Sequence, residues 1–160
     1  LVEEFVNGTP LGRLNDPETV SSLVAFLVSD LAADIAPFRD LAGAGACAMT
    51  AHILYAAWDA ARPATLSPAV VQEVIRGEIG FDGVLVSDDL AMGAMRGLSN
   101  DLAGAAIEAG CDLVLHCTGV LSETATVLDT CPMLPDAALR RLAAAREAML
   151  AARRPLAQVA

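Results

Sequence analysis

The sequence has no lysine, only two histidines, and a single tryptophan and tyrosine in 160 residues. Ten arginines face 20 acidic side chains, a formal net charge of −10. A chain so poor in cations is a poor partner for nucleic acid, whose phosphates are held mainly by Lys and Arg, and equally for an anionic membrane surface. Aromatics make up 4% of a composition that is 55% apolar, and alanine supplies much of the apolar share. Cys47, Cys111, Cys117 and Cys131 form no CxxC pair. Cysteines beside apolar runs behave as small hydrophobes, so reduced structural thiols and a reducing compartment are expected. The opening LVEEFVNGTP has no basic start followed by an apolar stretch, so no secretory signal is read and a cytoplasmic location is expected. The weakly apolar Leu41–Trp58 is interrupted by Gly43, Gly45, Thr50 and His52, which favours a strand with loops over a membrane span. There is no HExxH and no GxSxG, and the glycines at 43 and 45 precede a strand instead of following one, which excludes a dinucleotide loop.

What is present is an alternation of helical and strand patterns. Asp16-Pro17-Glu18 reads as a helix start, and Leu23, Leu27, Leu31, Ile35 and Phe38 recur at helical spacing, with Pro37 expected to kink or interrupt the segment. Ala46–Ile53 follows as a strand, then a loop over 55–65. Ser67-Pro68 opens a second helix with Val70, Val71, Val74, Ile75 and Ile79 as its apolar stripe, ending at Gly80. A strand at Gly83–Asp88, a helix from Asn100-Asp101 to Gly110, a strand at Cys111–Cys117, a helix near Ser122–Thr130 and a last helix from Pro135-Asp136 to about residue 153 complete the pattern. The strands are continuous apolar runs, the mark of a parallel sheet covered on both faces. Right-handed βαβ crossovers then give either a (β/α) barrel or a doubly wound sheet.

In such folds ligands bind at the carboxyl ends of the strands. The residues at which these strands turn polar are Thr50 and His52, then Ser87, Asp88 and Asp89, then His116 and Thr118. Asp88-Asp89 is the sharpest feature, because a carboxylate at a strand end is costly to bury without partners. The pair admits three readings: caps for the following turn, a nucleophile in glycosyl transfer, or a Mg²⁺ site. His52 suits a substrate hydroxyl or a catalytic carboxylate, or else a core histidine bonded to a backbone carbonyl. For His116 the core role is favoured. Tyr55 and Trp58 lie where aromatics stack on a sugar or simply pack, and Met92 reads as core.

Four segments, AMTAHILYAAWD at 48–59, RPATLSP at 62–68, VIRGEIGFDGVLVSDDLAMGAM at 74–95 and AGCDLVLHCTG at 109–119, resemble bacterial β-N-acetylglucosaminidases of glycoside hydrolase family 3, the NagZ type. DLAADIAPFRDL at 30–41 is similar to the helix before them. The resemblance implies an α/β fold, a partial (β/α)₈ TIM barrel holding about its last three βα units. It implies one partial barrel domain over 1–160, with a poorly matched leader at 1–29, a family-like core at 30–119 and closing helices at 120–160. It further implies removal of terminal β-linked N-acetylglucosamine in muropeptide recycling, by a retaining mechanism without metal or organic cofactor. The nucleophile maps to Asp88, with Asp89 a neighbour, and His52 is carried as a substrate-binding candidate.

The sequence also departs from that family. The acid/base histidine of the family lies in a KHFPGHG-like segment with a D-S-H segment, and neither occurs here. A full barrel takes roughly 250 residues and eight strands. The expectation is a chain inactive by itself, whose partners are a carbohydrate substrate and either a missing N-terminal half or a second copy joined at open sheet edges. The alternatives are an inactive remnant or partner-dependent interaction module, and a Mg²⁺-dependent α/β enzyme using Asp88 and Asp89.

Overall fold

The computed structural model describes residues 35–43 and 47–151. The chain divides into two compact units, residues 1–40 and 41–160. The expected helix start at Asp16 and its apolar positions up to Leu31 lie outside the described residues. The first described helix, α1, is Ala36–Leu41. Pro37 sits in its first turn, where the missing N–H leaves no helical bond unmade.

The second unit is built on three parallel strands: β1 (Cys47–Met49), β2 (Val84–Asp89) and β3 (Leu113–Leu115). Their spatial order is that of the sequence, β1-β2-β3. Each strand is where the apolar runs placed it, but β1 and β3 are shorter than expected. At the end of β1, Thr50 N–H still donates to Val86 O at 2.9 Å, and after that the backbone leaves the sheet. Its polar side chains then form the bonds the ladder no longer supplies.

Between β1 and β2 the chain makes a loop, a 3₁₀ turn at Ala64–Leu66 and a helix, α2 (Ala69–Glu78). Ser67 accepts the Val70 N–H at the start of α2, as its position before Pro68 predicts. Val70, Val71 and Val74 of the apolar stripe are buried. The helix is wound with i→i+5 bonds, which the 3.6-residue reading did not anticipate; its end is marked by Ile79 N–H to Val74 O at 2.8 Å. Between β2 and β3 runs α3 (Leu102–Ala109), N-capped by Asp101, whose carboxylate accepts the Gly104 N–H at 2.8 Å. Gly110 closes it at φ 117°, where a Cβ would collide with Val71 and the Gln72 amide. After β3 come α4 (Leu121–Thr130) and α5 (Asp136–Ala151).

The core lies between one face of the sheet and this helical layer. Val71, Leu85, Met95, Ala106, Ala109 and Cys111 form its centre, each 2% exposed or less, with Leu66, Phe81 and Leu90 around them. The alanines of α3 allow that helix to approach the 3₁₀ turn and the sheet closely. The opposite face is bare at β1, where Met49 is 58% exposed.

A buried ion network stitches the amino-terminal ends of β2 and β3. Asp112, 1% exposed, accepts from Arg76 Nη2 and Arg141 Nη1, both at 2.8 Å, and from Leu85 N–H at 2.9 Å. Arg76 Nη1 also donates to the carbonyls of Phe81 and Gly83. Its guanidinium lies 5.5 Å from the centre of the Phe81 ring, and its Nε is buried without a hydrogen-bond partner among the described residues. Burial pulls the Arg76 pKa below its ordinary value, and the neighbouring Arg141 charge acts in the same direction.

Candidate active site at the carboxyl end of the sheet

The polar residues at the strand ends converge on Asp88 and Asp89. β2 pairs with β3 at Val86–Leu113 and again at Asp89–Leu115, so three steps along β2 oppose two along β3. This is a β-bulge at Ser87-Asp88, a device that bends a strand and re-aims its side chains. A side chain closes the gap in the ladder. The Ser87 hydroxyl accepts the Leu115 N–H at 2.9 Å and donates to the Asp88 carbonyl at 2.8 Å, and Ser87 is fully buried.

The two aspartates diverge in what they do. Asp89 Oδ1 accepts the backbone amides of Ala91 and Cys117, both at 3.0 Å. It caps its own turn and ties β2 to the loop after β3. Among the described residues, the half-buried Asp88 carboxylate accepts only the Asp89 amide, through Oδ1 at 2.8 Å. Its second carboxylate oxygen has no partner among the described residues.

His52 approaches from β1. Its Nε2 donates to the Asp89 carbonyl at 2.9 Å, and its Nδ1 lies 2.8 Å from the Thr65 hydroxyl. The Thr65 hydroxyl lies in turn 2.8 Å from the Thr50 hydroxyl, so His52, Thr65 and Thr50 form one hydrogen-bonded chain. Thr50 and Thr65 are buried. Both ring nitrogens of His52 are thus occupied within the chain, the backbone-carbonyl arrangement that was one of its two readings.

The loop between β1 and the 3₁₀ turn is organised by Asp59. Its carboxylate accepts from the Ser67 hydroxyl at 2.7 Å, from the amides of Ala61 and Arg62, and from Arg62 Nε. The Ser67 hydroxyl first, and the Ala61 amide after it, hold the Asp59 pKa down to about 2. On the same loop Tyr55 and Trp58 form a tilted ring pair 5.6 Å apart, and burial raises the Tyr55 pKa. His116 is engaged away from the aspartates, with Nδ1 3.2 Å from the Thr124 hydroxyl. Met92 is 45% exposed, and Met95 takes the core position Met92 was expected to fill.

The reading of a Mg²⁺ site gains no support. Among the described residues no group of three His, Cys, Asp or Glu side chains is placed to hold a metal ion, and Asp89 Oδ1 is already taken by amides. Sequence reasoning missed the bridging role of Ser87, the Thr50–Thr65–His52 chain, the Asp59 hub and the Asp112 network. Asp112 did carry a signal: one charge inside an apolar strand requires a buried partner.

The model of the glycosyl hydrolase family 3 N-terminal domain matches residues 30–144. A β-hexosaminidase of Alkalilimnicola ehrlichii is 50% identical over 88 residues, covering 53% of this chain and 25% of that protein. One from Psychromonas ingrahamii is 39% identical over 108 residues, covering 65% of this chain and 32% of the relative. Among solved structures, a family 3 β-N-acetylglucosaminidase from a Paenibacillus species aligns with a TM-score of 0.66 at 31% identity, over 79% of this chain and 27% of its own. Native NagZ from Neisseria gonorrhoeae aligns with a TM-score of 0.54 at 33% identity, over 78% and 37%. The chain thus spans between a quarter and two fifths of the length of these relatives. The chain belongs to glycosyl hydrolase family 3, through the N-terminal domain whose model residues 30–144 match.

Proposed function

We propose that this chain carries the nucleophile of a retaining β-N-acetylglucosaminidase, and that the nucleophile is Asp88. The observation that supports this most is the contrast at the end of β2: Asp89 is committed to two backbone amides, while Asp88 keeps a carboxylate oxygen with no partner among the described residues, at the carboxyl end of a parallel strand. A retaining hydrolase needs such an oxygen to attack the anomeric carbon as the glycosidic C–O bond breaks and the leaving oxygen takes a proton from the acid/base group, giving a covalent glycosyl-enzyme that water then hydrolyses. The names of the relatives, β-hexosaminidase and β-N-acetylglucosaminidase, suggest the sugar. Muropeptide recycling in the cytoplasm is the corresponding biological role. No described helix is long and apolar enough to cross a membrane.

The three βα units are read as part of a (β/α)₈ barrel. Two features favour this over a doubly wound sheet. The strands neighbour one another in sequence order, and the face away from the helices carries exposed Met49 and Cys47, which a closed barrel would enclose. The acid/base half of the site is assigned to a segment other than the described strands, since His52 and His116 are both engaged. That segment is supplied by the rest of a barrel, or by a second chain meeting the sheet edges. His52 is proposed to act on substrate chiefly through the Asp89 peptide it holds; a direct sugar contact requires it to release one of its two partners.

The test is turnover of a nitrophenyl N-acetylglucosaminide by this chain joined to the segment that completes the barrel, and by variants of it. Asp88→Ala abolishes turnover and Asp89→Asn only reduces it. Full turnover by Asp88→Ala removes the proposal.

A further inference from the structure

We infer that Ser87 is a positioning residue that aims the Asp88 carboxylate, acting through the β-bulge; this rests on the reading of Asp88 as the nucleophile. Three observations carry it. First, the register slips by one residue between Val86 and Asp89, at the one stretch of β2 that bears the free carboxylate. Second, a bulge leaves a backbone amide of the partner strand without a carbonyl to bond, and here that amide, Leu115 N–H, goes to the Ser87 hydroxyl. Third, the same hydroxyl spends its proton on the Asp88 carbonyl, so one side chain fixes both β3 and the peptide that follows the nucleophile.

The chemistry of position 87 is therefore specific. It requires one donor and one acceptor on a single atom, in a fully buried space. Alanine leaves Leu115 N–H and the Asp88 carbonyl unpaired in the interior, which favours slippage to a regular ladder. A slip of one residue along a strand turns side chains to the other face, and Asp88 with them. The Asp89 peptide is held independently by His52 from the β1 side, so the disturbance is confined to the β3 side. The expected signature is altered aim of Asp88 without loss of the sheet.

The experiment compares Ser87→Ala, Ser87→Thr, Ser87→Cys and Asp88→Ala with the unchanged protein. Two readouts are independent of turnover: hydrogen exchange at the Leu115 amide, and the side-chain carboxyl carbon resonance of Asp88. In Ser87→Ala the amide exchanges faster and the Asp88 resonance moves; Ser87→Thr, which keeps the hydroxyl, restores both. In turnover, measured with the segment that completes the barrel supplied, Ser87→Ala lowers kcat by about 10²-fold, the usual effect of a small misplacement, with little change in KM. Ser87→Thr recovers most of the rate. Ser87→Cys keeps the volume with a weaker donor and falls between them, which separates lost bonding from lost packing. An unchanged Leu115 amide and Asp88 resonance in Ser87→Ala overturns the inference, as does unchanged kcat. If Asp88→Ala itself retains turnover, the nucleophile reading has failed. If Asp88→Ala is inactive and Ser87→Ala is fully active, only the positioning role has failed.

Discussion

His52 Nε2 donates to the backbone carbonyl of Asp89 at 2.9 Å, joining residues 37 positions apart across β1 and β2. The bond sits one peptide beyond Asp88, so the histidine holds the strand end that presents the free carboxylate. Replacement by alanine leaves the Thr65 hydroxyl and the Asp89 carbonyl without their partner, at an expected cost of about 1 to 3 kcal/mol. A urea titration of His52→Ala measures it. An unchanged midpoint shows that the histidine is held by neither bond.

The sheet is secured at its other end by a charge. Removing the Asp112 carboxylate takes from Arg76 and Arg141 the buried anion that both bind at 2.8 Å. Breaking a buried pair from one side costs about 3 to 5 kcal/mol, so Asp112→Ala is expected to be the most destabilising polar substitution in the sheet. Replacing the exposed Asp82, which meets Arg141 at 3.3 Å, is expected to cost under about 1 kcal/mol. The two midpoints in one denaturation series decide the matter; equal effects contradict the network.

Much of this architecture is legible in the sequence, and the illegible parts share a cause. The strand at 84–89, the Asp101 cap and the Gly110 stop follow from local chemistry: apolar runs, a side chain able to accept an orphan amide, and a residue free at positive φ. Asp88 and Asp89 were identifiable as a pair at a strand end. What separates them is set by partners far along the chain, the Cys117 amide for Asp89 and the Leu115 amide for Ser87. Periodicity carries no record of such long-range bonds. The same holds for Asp112, whose partners lie 36 and 29 residues away. The short ends of β1 and β3 were missed because apolar character continues past the point where the ladder stops.

Acid is expected to loosen the loop before the 3₁₀ turn. The folded Asp59 pKa lies at about 2 against an ordinary 3.8, so protonation favours the unfolded chain. Its contribution is complete above about pH 4 and disappears as the pH falls toward 2. Asp59→Asn removes that share of the acid dependence. Denaturation midpoints across this window measure it, and an identical slope in both proteins contradicts the assignment.

The cysteines should differ in reactivity. Cys47 and Cys117 are exposed, whereas burial pushes the Cys111 thiol up to about 12. At pH 8 only thiolates react readily, so iodoacetamide is expected to label Cys47 and Cys117 and to spare Cys111 until the chain unfolds. Peptide mass mapping reads this directly. Native-state labelling of Cys111 at the rate of Cys117 contradicts the packing of α3 against the sheet.

Asp88, and not Asp89, is proposed to attack the sugar. An activated fluoro-sugar analogue of N-acetylglucosamine, which forms the glycosyl-enzyme but leaves it slowly, traps the nucleophile for peptide mass spectrometry. A single adduct is expected on the peptide carrying GFDGVLVSDDL, located at Asp88 and absent from Asp88→Ala. An adduct at Asp89, or one that persists unchanged in Asp88→Ala, contradicts the proposal.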